Sequence, residues 1–388
     1  MKQPHVCILT TAHPTDDVRV RHKMAASFLG AGFKVSWLGR DHAFFDPDSK
    51  NSTEIEFHLV NSGTGRTGRV LSRYRLAGEA RAMQDVDVFY APEPDSAALA
   101  AKVARRSGAR VIFDIHEVFH TYMLDRWLHG MELSMVRRAV WNFVNRTCSK
   151  CDLVVGTCTP TLAPYRDACK QAMVVRNCAP RWFADVPPAD IAAPTRKTFS
   201  IMHGKSDLGR GTLLVIRALG LVAKHAPHVR VVMFDRFGGE DDPARQQFWQ
   251  YADKAGVRSM IELRQGVPIE EMPDLLRSCD VGMIAYDRNM GVDTLANRPF
   301  EYMAVGLPIL APVYGKALST VIKTEDCGVL VDFEDPANVA DGILQLVSNA
   351  DRTREMGENA RSSFLLRHNW EVEVAPLLEH VERWSRDA

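Results

Sequence analysis

The stretch TFSIMHGKSDLGRGTLLVIRALGLVAK, residues 198–224, contains the structural unit from which the whole chain is built. Its first five residues form the short, mostly apolar run of a buried strand, and residues 211–224 have the apolar spacing of an amphipathic helix. The loop between them contains two glycines, and a third, Gly211, opens the helix. A strand that leads through such a loop into a helix predicts a doubly wound α/β domain with a parallel sheet.

The same unit recurs on both sides of this stretch. Because the runs are apolar throughout, we expect strands that are buried on both faces, as in parallel sheets. Helical patterns lie between most of them. The predicted strands are 6–10, 34–38, 55–59, 86–90, 110–115, 152–155 and 173–175 in the first half, and 198–202, 230–234, 261–263, 281–284, 307–311 and 328–331 in the second.

A proline-rich stretch, 181–197, interrupts this rhythm and is interpreted as a linker. The sequence therefore predicts two Rossmann-like, doubly wound domains, 1–180 and 198–370, that face each other across a cleft. We expect the C-terminal helix, 371–388, to pack back toward the N-terminal domain. Ligands of open parallel sheets bind outside the carboxyl ends of the strands, so the residues after each strand are the candidates for function.

Composition restricts the classes of function. Among 388 residues, Lys+Arg and Asp+Glu are both 48, so the net charge gives no general attraction to nucleic acid. No signal peptide and no membrane-length apolar run are recognisable, which predicts a cytoplasmic protein. The eight cysteines include Cys148-x-x-Cys151, but no second half of a zinc site completes that spacing. We expect reduced thiols and no metal.

The loop after residue 202 has the composition of an anion-binding site. Glycines let the backbone approach a ligand, and the following helix N-terminus favours negative charge. Lys205 and Arg210 add two cations, which suits a diphosphate. The alternative is a solvated basic turn. A nicotinamide dehydrogenase is disfavoured, because the loop after the first strand, residues 10–14, lacks glycine.

The segment 293–310, DTLANRPFEYMAVGLPIL, is the second candidate site. It predicts a helix start, a tight turn at Gly306 and Pro308, and a buried strand. Glu301 falls within the first two helical turns, where its carboxylate can accept hydrogen bonds from vicinal hydroxyls such as those of a ribose. It can equally stabilise its own helix N-terminus, and the segment alone leaves both interpretations open.

Together the two segments resemble glycosyltransferase family 4, the retaining enzymes of GT-B fold. Gly204-Lys205 and Arg210-Gly211 stand where the family has a Gly-Arg…Lys-Gly pattern on the donor diphosphate, with Lys and Arg exchanged. NRPFEYMAVGLP, 297–308, resembles a subgroup with an Asn-Lys-x-Phe-Glu-Tyr-Met-Ala-x-Gly-x-Pro run. The donor-binding residues that the resemblance implies are Gly204, Lys205, Arg210, Gly211, Asn297, Arg298 and Glu301.

The resemblance extends to the N-terminal half. DVRV, 17–20, is similar to the opening of this subgroup, and FDIHEVF, 113–119, is similar to its Tyr-Asp-Ala-His-Glu-Leu-Phe segment. The family's first glutamate corresponds to Asp293 here. The resemblance implies catalytic roles for His116, Glu117 and Asp293. Its implied acceptor-side residues are Asp16, Asp17 and Arg19.

The resemblance implies a retaining, metal-independent hexosyltransferase in polysaccharide or glycolipid synthesis. A UDP- or GDP-sugar would be its substrate rather than a cofactor, and a glycan or lipid-linked molecule its acceptor. Basic stretches with aromatic residues at 66–81 and 122–150 suit contact with the inner face of the cytoplasmic membrane. The alternatives are a solvated helix face for the first stretch and, preferred for the second, a connecting helix packed on the sheet. A GT-B epimerase remains an alternative, as does a non-catalytic sugar-nucleotide-binding protein, which the Asp at 293 favours.

Overall fold

The computed structural model describes residues 3–41, 54–61, 65–83, 85–116, 133–193, 196–206, 208, 211–288 and 295–386. Side chains are described from residue 72 in the helix that begins at 65, and from residue 134 in the helix that begins at 133. Contacts divide the chain into two units. The first comprises Met1–Asn177 and Glu371–Ala388, and the second comprises Cys178–Trp370.

The first unit is built on a parallel sheet of seven strands within the described ranges, in the order β3-β2-β1-β4-β5-β6-β7. Its central strands are fully buried runs such as HVCIL, because helices cover both faces. The strands are β1 His5–Leu9, β2 Lys34–Arg40, β3 Ile55–Val60, β4 Val88–Ala91, β5 Arg110–Ile115, β6 Leu153–Gly156 and β7 Ala172–Val174.

The helices of the first unit begin with a π-helix, Val18–Ala25, in which Asp17 accepts a hydrogen bond from the backbone N–H of Val20. It continues directly into α1, Ala26–Gly30. The other helices are α2 Gly65–Ala82, α3 Pro94–Ser107, α4 Leu133–Cys148 and α5 Thr159–Leu162, followed by a 3-10 turn at Ala163–Ala168.

The second unit repeats this plan with a six-stranded parallel sheet, counted over its described part, in the order β10-β9-β8-β11-β12-β13. The strands are β8 Phe199–Lys205, β9 Val229–Phe234, β10 Ile261–Arg264, β11 Val281–Met283, β12 Ile309–Pro312 and β13 Gly328–Val331. The helices are α6 Thr212–Val222, α7 Pro243–Lys254, α8 Met272–Arg277, α9 Arg298–Val305, α10 Lys316–Glu325, α11 Pro336–Ser348 and α12 Ala350–Arg367.

The predicted fold class is confirmed. Each observed strand coincides with a predicted apolar run to within three residues at either end. One helix of the second unit, α10, was not predicted. It begins after Gly315 without a side-chain cap, so the usual start signal is missing from the sequence.

The proline-rich stretch predicted as a linker is packed onto the second unit. Phe183 and Ile191 are buried. Arg361 of α12 donates hydrogen bonds to the carbonyls of Ala184 and Val186, at 2.8 and 2.9 Å. Proline and the lack of a helical period predict an irregular backbone, but they do not reveal that such a backbone is anchored by a distant arginine.

The last helix, α13 Trp370–Arg386, crosses the boundary at which the chain leaves the second unit. From residue 371 onward it is grouped with the first unit. Glu373 accepts hydrogen bonds from the backbone N–H and the guanidinium of Arg176, just after β7. Across the described ranges, each helix is too short or too polar to span a bilayer.

Candidate functional site

Both sheets reverse their strand order at one point, and such a point is where doubly wound folds bind ligands. In the first sheet the reversal lies between β1 and β4, and in the second between β8 and β11. The chain therefore carries two candidate sites, one in each unit.

In the second unit a small, partly open pocket lies at this point. The last residues of β8 and the residues that follow β11 form most of its wall, and α9 contributes one arginine. The lining residues are His203, Lys205, Ile284, Ala285, Tyr286 and Arg298. Two of the predicted donor-binding cations, Lys205 and Arg298, thus line one pocket although 93 positions separate them in the sequence.

The position of Arg298 requires a glycine at residue 204. Its φ is +99°, which disfavours other residues. A Cβ atom at this position would lie 1.8 Å from Nη1 of Arg298. The same Nη1 donates a hydrogen bond of 2.7 Å to the carbonyl of His203. The glycine thus leaves room for the guanidinium directly against the strand end.

Gly211 has a similar steric role at the start of α6. Its φ is +76°, and a Cβ atom would lie 2.3 Å from the carbonyl oxygen of Ala285. The loop from β8 can therefore turn into α6 while it stays in contact with the residues after β11. This brings the N-terminus of α6 close to the pocket wall.

Two buried polar atoms at or beside this pocket have no hydrogen-bond partner among the described residues. They are Nδ1 of His203 and Oδ1 of Asn297. Buried polar atoms are nearly always partnered by protein, water or ligand. A polar ligand in this pocket is one way to satisfy them.

Electrostatics favour an anion here. Burial lowers the pKa of His203 to about 3, and the neighbouring charge of Arg298 adds to this, so the histidine is neutral. Burial alone would lower the pKa of Arg298, but Tyr302, Tyr286 and Glu301 outweigh it and raise the pKa. The positive charge on this wall therefore comes from Arg298 and Lys205, and His203 adds none.

The remaining predicted donor residues lie on or near α9. Asn297 is the N-cap residue of the helix, but it makes no side-chain cap bond. Glu301 is in the first turn, half-buried, and is not among the residues that line the pocket. Arg210 and Asp293 lie outside the described residues.

In the first unit, His116 follows β5 and is held by a buried carboxylate. Its Nε2 lies 2.9 Å from Oδ2 of Asp114, which is fully buried. Arg19 donates to both carboxylate oxygens, at 2.9 and 3.0 Å, and Tyr90 donates its hydroxyl to the same group. Burial raises the pKa of Asp114, but the charges of Arg19 and His116 outweigh this and hold it well below its usual range.

The three predicted acceptor-side residues have different surroundings. Arg19 is buried, so within this unit it acts on His116 through Asp114. Asp17 caps the π-helix through the N–H of Val20, at 2.8 Å. Asp16 is exposed. Glu117 lies outside the described residues.

A second histidine–carboxylate pair in this unit was not predicted from the sequence. His13 follows β1, and its Nδ1 lies 2.8 Å from Oε1 of Glu93, which follows β4. The hydroxyl of Thr10 and the backbone N–H groups of residues 11–13 also donate to Glu93. The rings of His13 and His116 are in edge contact, with centroids 5.2 Å apart.

Burial would raise the pKa of Glu93, but its hydrogen bonds and the charge of His13 lower it to about 2. For His13 burial lowers the pKa, and the hydrogen bond and charge of Glu93 outweigh it and raise it. The signal that could have identified the pair is the motif Ala91-Pro92-Glu93-Pro94. It places an acid directly after a buried strand and before a proline at the helix start.

Two doubly wound units, one with a basic pocket at its switch point, define the GT-B class of nucleotide-sugar enzymes. Comparison with known families agrees. The family described as "Glycosyl transferases group 1" matches residues 188–363, and "Glycosyltransferase Family 4" matches residues 18–177. The chain belongs to this group 1/family 4 glycosyltransferase family.

Curated relatives are distant and match in part. A D-inositol 3-phosphate glycosyltransferase of Corynebacterium kroppenstedtii is 26% identical over 44% of this chain and 37% of its own length. A GDP-mannose-dependent alpha-(1-6)-phosphatidylinositol monomannoside mannosyltransferase of Mycobacterium tuberculosis is 28% identical over 36% of this chain and 37% of its own. The matched region spans less than half the length of these relatives.

Solved structures share the whole fold. Sucrose-phosphate synthase from Thermosynechococcus elongatus covers both chains completely, with a TM-score of 0.78 and 16% identity. The Anabaena protein HepE in complex with UDP covers 98% of this chain and 100% of its own, with a TM-score of 0.74 and 13% identity. At these identities the likeness extends to the fold alone.

Proposed function

We propose that this chain transfers a sugar from a UDP- or GDP-sugar to a hydroxyl group of a glycan, polyol or lipid-linked acceptor, with retention and without a metal. One observation carries the proposal. The guanidinium of Arg298 packs where only a glycine leaves room, at Gly204, in a pocket that Lys205 also lines. The chain that holds this pocket belongs to a glycosyltransferase family.

The pocket suits the leaving group of such a reaction. When the bond to the sugar breaks, negative charge develops on the diphosphate, and fixed positive charges stabilise it. Arg298, Lys205 and the N-terminus of α6 supply that charge, and Arg210 is proposed to add to it. Fixed cations of this kind can replace a metal ion. In the described part of the chain, no three His, Cys, Asp or Glu side chains converge as a metal site requires.

The other predicted residues complete the proposal. Asn297 and Glu301 bind the nucleoside, with the Glu301 carboxylate accepting hydrogen bonds from the ribose. In the first unit His116 contacts the sugar, and its ring orientation is fixed by Asp114. Glu117 and Asp293 are proposed to act with it, as the family resemblance implies.

The printed names of the relatives suggest the class of acceptor. They describe enzymes that act on an inositol phosphate or a phosphatidylinositol mannoside. We therefore propose a polyol acceptor, free or lipid-linked, in the synthesis of a glycolipid or a cell-surface polysaccharide.

A lipid-linked acceptor requires contact with a membrane surface, and α4 supports that proposal. One face of this helix exposes Met135 and Phe143, at 80% and 41%, beside the exposed Arg138 and Arg146. Such a mixture of apolar and basic side chains suits the interface of an anionic bilayer at the cytoplasmic side. Trp141 is on the other side, where its indole donates to the carbonyl of Pro164.

The proposal is tested first by thermal denaturation with UDP, GDP, dTDP and ADP, with and without a chelator. A ligand that binds only the native state raises its melting temperature. We expect one diphosphate to do so in a chelator-insensitive manner, and Lys205→Ala and Glu301→Ala to abolish the shift. Lys224→Ala, an exposed lysine of the same unit, is the matched control.

The matching sugar nucleotide is then incubated with D-inositol 3-phosphate and with phosphatidylinositol, and the products are separated. Transfer with retention supports the proposal. Nucleotide binding with an altered sugar nucleotide and no transfer indicates an epimerase. Binding without turnover indicates a binding protein. Folded chain that responds to none of the four diphosphates contradicts the proposal.

A further inference from the structure

The pair formed by His13 and Glu93 is held in place by an extensive hydrogen-bond network. Glu93 is buried and accepts hydrogen bonds from a serine hydroxyl, a threonine hydroxyl, three backbone N–H groups and the ring of His13. A carboxylate with this many donors is ionised, and it has no proton to give. The ring proton of His13 therefore lies on Nδ1, and Nε2 is the remaining nitrogen.

The same reasoning applies to the ring of His116, but here the nitrogen beside the carboxylate is Nε2 instead of Nδ1. The carboxylate of Asp114 accepts from Arg19, Tyr90 and the Nε2 of His116. The proton of a neutral His116 therefore lies on Nε2, and Nδ1 is its remaining nitrogen. Two adjacent imidazoles thus have their tautomers set by separate buried carboxylates.

The position of the two rings indicates a site rather than a structural core. His13 follows β1, and its partner Glu93 follows β4, so the pair spans the point at which the first sheet reverses its strand order. His116 follows the adjacent β5. The two carboxylates are fully buried, whereas the imidazoles are 22% and 17% exposed. The rings therefore form the outer, accessible layer of this cluster.

The charge of the cluster defines its chemistry. The carboxylates of Glu93, Asp17 and Asp114 favour the charged form of His13, and the ring of His116 is beside it. Nε2 of His13 and Nδ1 of His116 are therefore the ring nitrogens that can contact a ligand, and a protonated His13 donates a hydrogen bond from its Nε2. Two adjacent ring nitrogens match two hydroxyl groups of a sugar or cyclitol, because a hydroxyl group can both donate and accept.

We propose that His13 is a second ligand-binding histidine of the first unit and that, together with His116, it binds the hydroxyl groups of a polyol substrate. Glu93 is its positioning residue. The inference rests on the proposed function for the identity of the substrate, which is either the sugar of the donor or the polyol acceptor.

The test uses the full chain labelled with ¹⁵N in its histidine rings. The signals of His13 and His116 are assigned by their loss in His13→Gln and His116→Gln. The chain is titrated with UDP, GDP, UDP-glucose, GDP-mannose and myo-inositol. If UDP-glucose or GDP-mannose moves the ring signals further than UDP or GDP does, the ligand is the sugar of the donor. If myo-inositol moves them, the ligand is the acceptor.

We expect one of these polyols to change the ring signals of both histidines. His13→Gln should weaken binding of that polyol about tenfold, as loss of a hydrogen bond from a charged donor does, and leave nucleotide affinity unchanged. His22→Gln, an exposed histidine of the same unit, should bind as the unaltered chain does. In Glu93→Gln the His13 ring should titrate at lower pH, because the carboxylate that favours its charged form is gone, and polyol binding should weaken with it.

The inference is overturned if His13→Gln binds the polyol as tightly as the unaltered chain does. It is also overturned if the chain binds UDP or GDP but no polyol moves the ring signals. Failure of the proposed function looks different. In that case neither nucleotide binds, while a response of both rings to myo-inositol still supports the histidine pair.

Discussion

At the residue scale, the pocket of the second unit depends on the absence of a side chain at one position. Gly204 has no Cβ, and Arg298 occupies the space where a Cβ would be. Both residues were predicted from the sequence, Gly204 because glycines after a strand let the backbone approach a phosphate and Arg298 because the segment 297–308 resembles a glycosyltransferase motif. The sequence could not pair them, since their contact depends on how α9 packs beside β8.

Substitution Gly204→Ala should lower nucleotide affinity more than tenfold. The new methyl group displaces the guanidinium, and the φ of +99° adds strain. Isothermal titration with the diphosphate found in the screen measures the effect. The control is Gly220→Ala in α6, where a Cβ would lie 3.5 Å from the nearest atom and the backbone is helical. Equal affinities for the two variants would show that Arg298 does not contact the nucleotide.

The pair of His13 and Glu93 predicts how local stability depends on pH. The folded pKa of His13 is raised, so its contribution is complete below its ordinary value of 6.5 and is lost as the pH rises through the folded value. The pKa of Glu93 is lowered to about 2, so its contribution is complete above 4.5 and is lost as the pH falls toward 2. Both contributions are complete between 4.5 and 6.5.

We therefore expect His13→Gln to reduce the opening free energy of β1 by about 1.5 kcal/mol at pH 6, and by progressively less toward pH 9. Hydrogen exchange of peptides from β1 and β4, corrected for intrinsic rates, measures it. His22→Gln serves as the control again. A deficit that stays constant across this range would mean that the charge on His13 contributes nothing.

At the scale of elements, the first unit is held together by one buried ionic cluster. Asp114 on β5 binds Tyr90 of β4 and Arg19 of the π-helix, and Arg19 also donates to the carbonyl of Val175, just after β7. The strands themselves were predictable, because a strand buried on both faces is an apolar run. The cluster was not, because the sequence does not show which charged side chains meet inside the unit.

Substitution Arg19→Met leaves the Asp114 carboxylate buried with one cation fewer. We expect the first unit to lose about 3–5 kcal/mol in its free energy of unfolding, the usual cost of breaking a buried pair. Urea unfolding followed by exchange protection of β5 reports the change. Arg106→Met on the exposed face of α3 is the control. A loss below 1 kcal/mol would mean that Tyr90 and His116 suffice to hold the carboxylate.

At the scale of the whole molecule, the two units share one plan but differ in the polar groups at their switch points. Their sheets have the same strand order over six positions, and each has a cluster of polar residues at its switch point. The alternation of strands and helices predicted this repetition, and the glycine-rich loop with Lys205 predicted positive charge in the second unit. The histidine–carboxylate pairs of the first unit emerged only from the structure.

Because α13 is grouped with the first unit from residue 371 onward, we expect Glu373→Ala to loosen that unit and leave the other intact. The change removes the partner of Arg176 after β7. Exchange protection of residues 172–176 should fall, while protection of α6 and nucleotide affinity should not. Glu379→Ala, exposed on the same helix, is the control. Loss of protection in both units would contradict this division of the chain.

The discontinuity of the first unit also has a consequence for synthesis on the ribosome. Its first 177 residues emerge early, but α13 is made only after the whole second unit. At roughly 5–20 residues per second, the intervening chain takes about 10–40 seconds to make. During that time the second unit can fold as a continuous segment, while Arg176 after β7 still lacks its partner Glu373. Nascent chains should therefore be most open to proteases and chaperones near β7 until α13 has emerged.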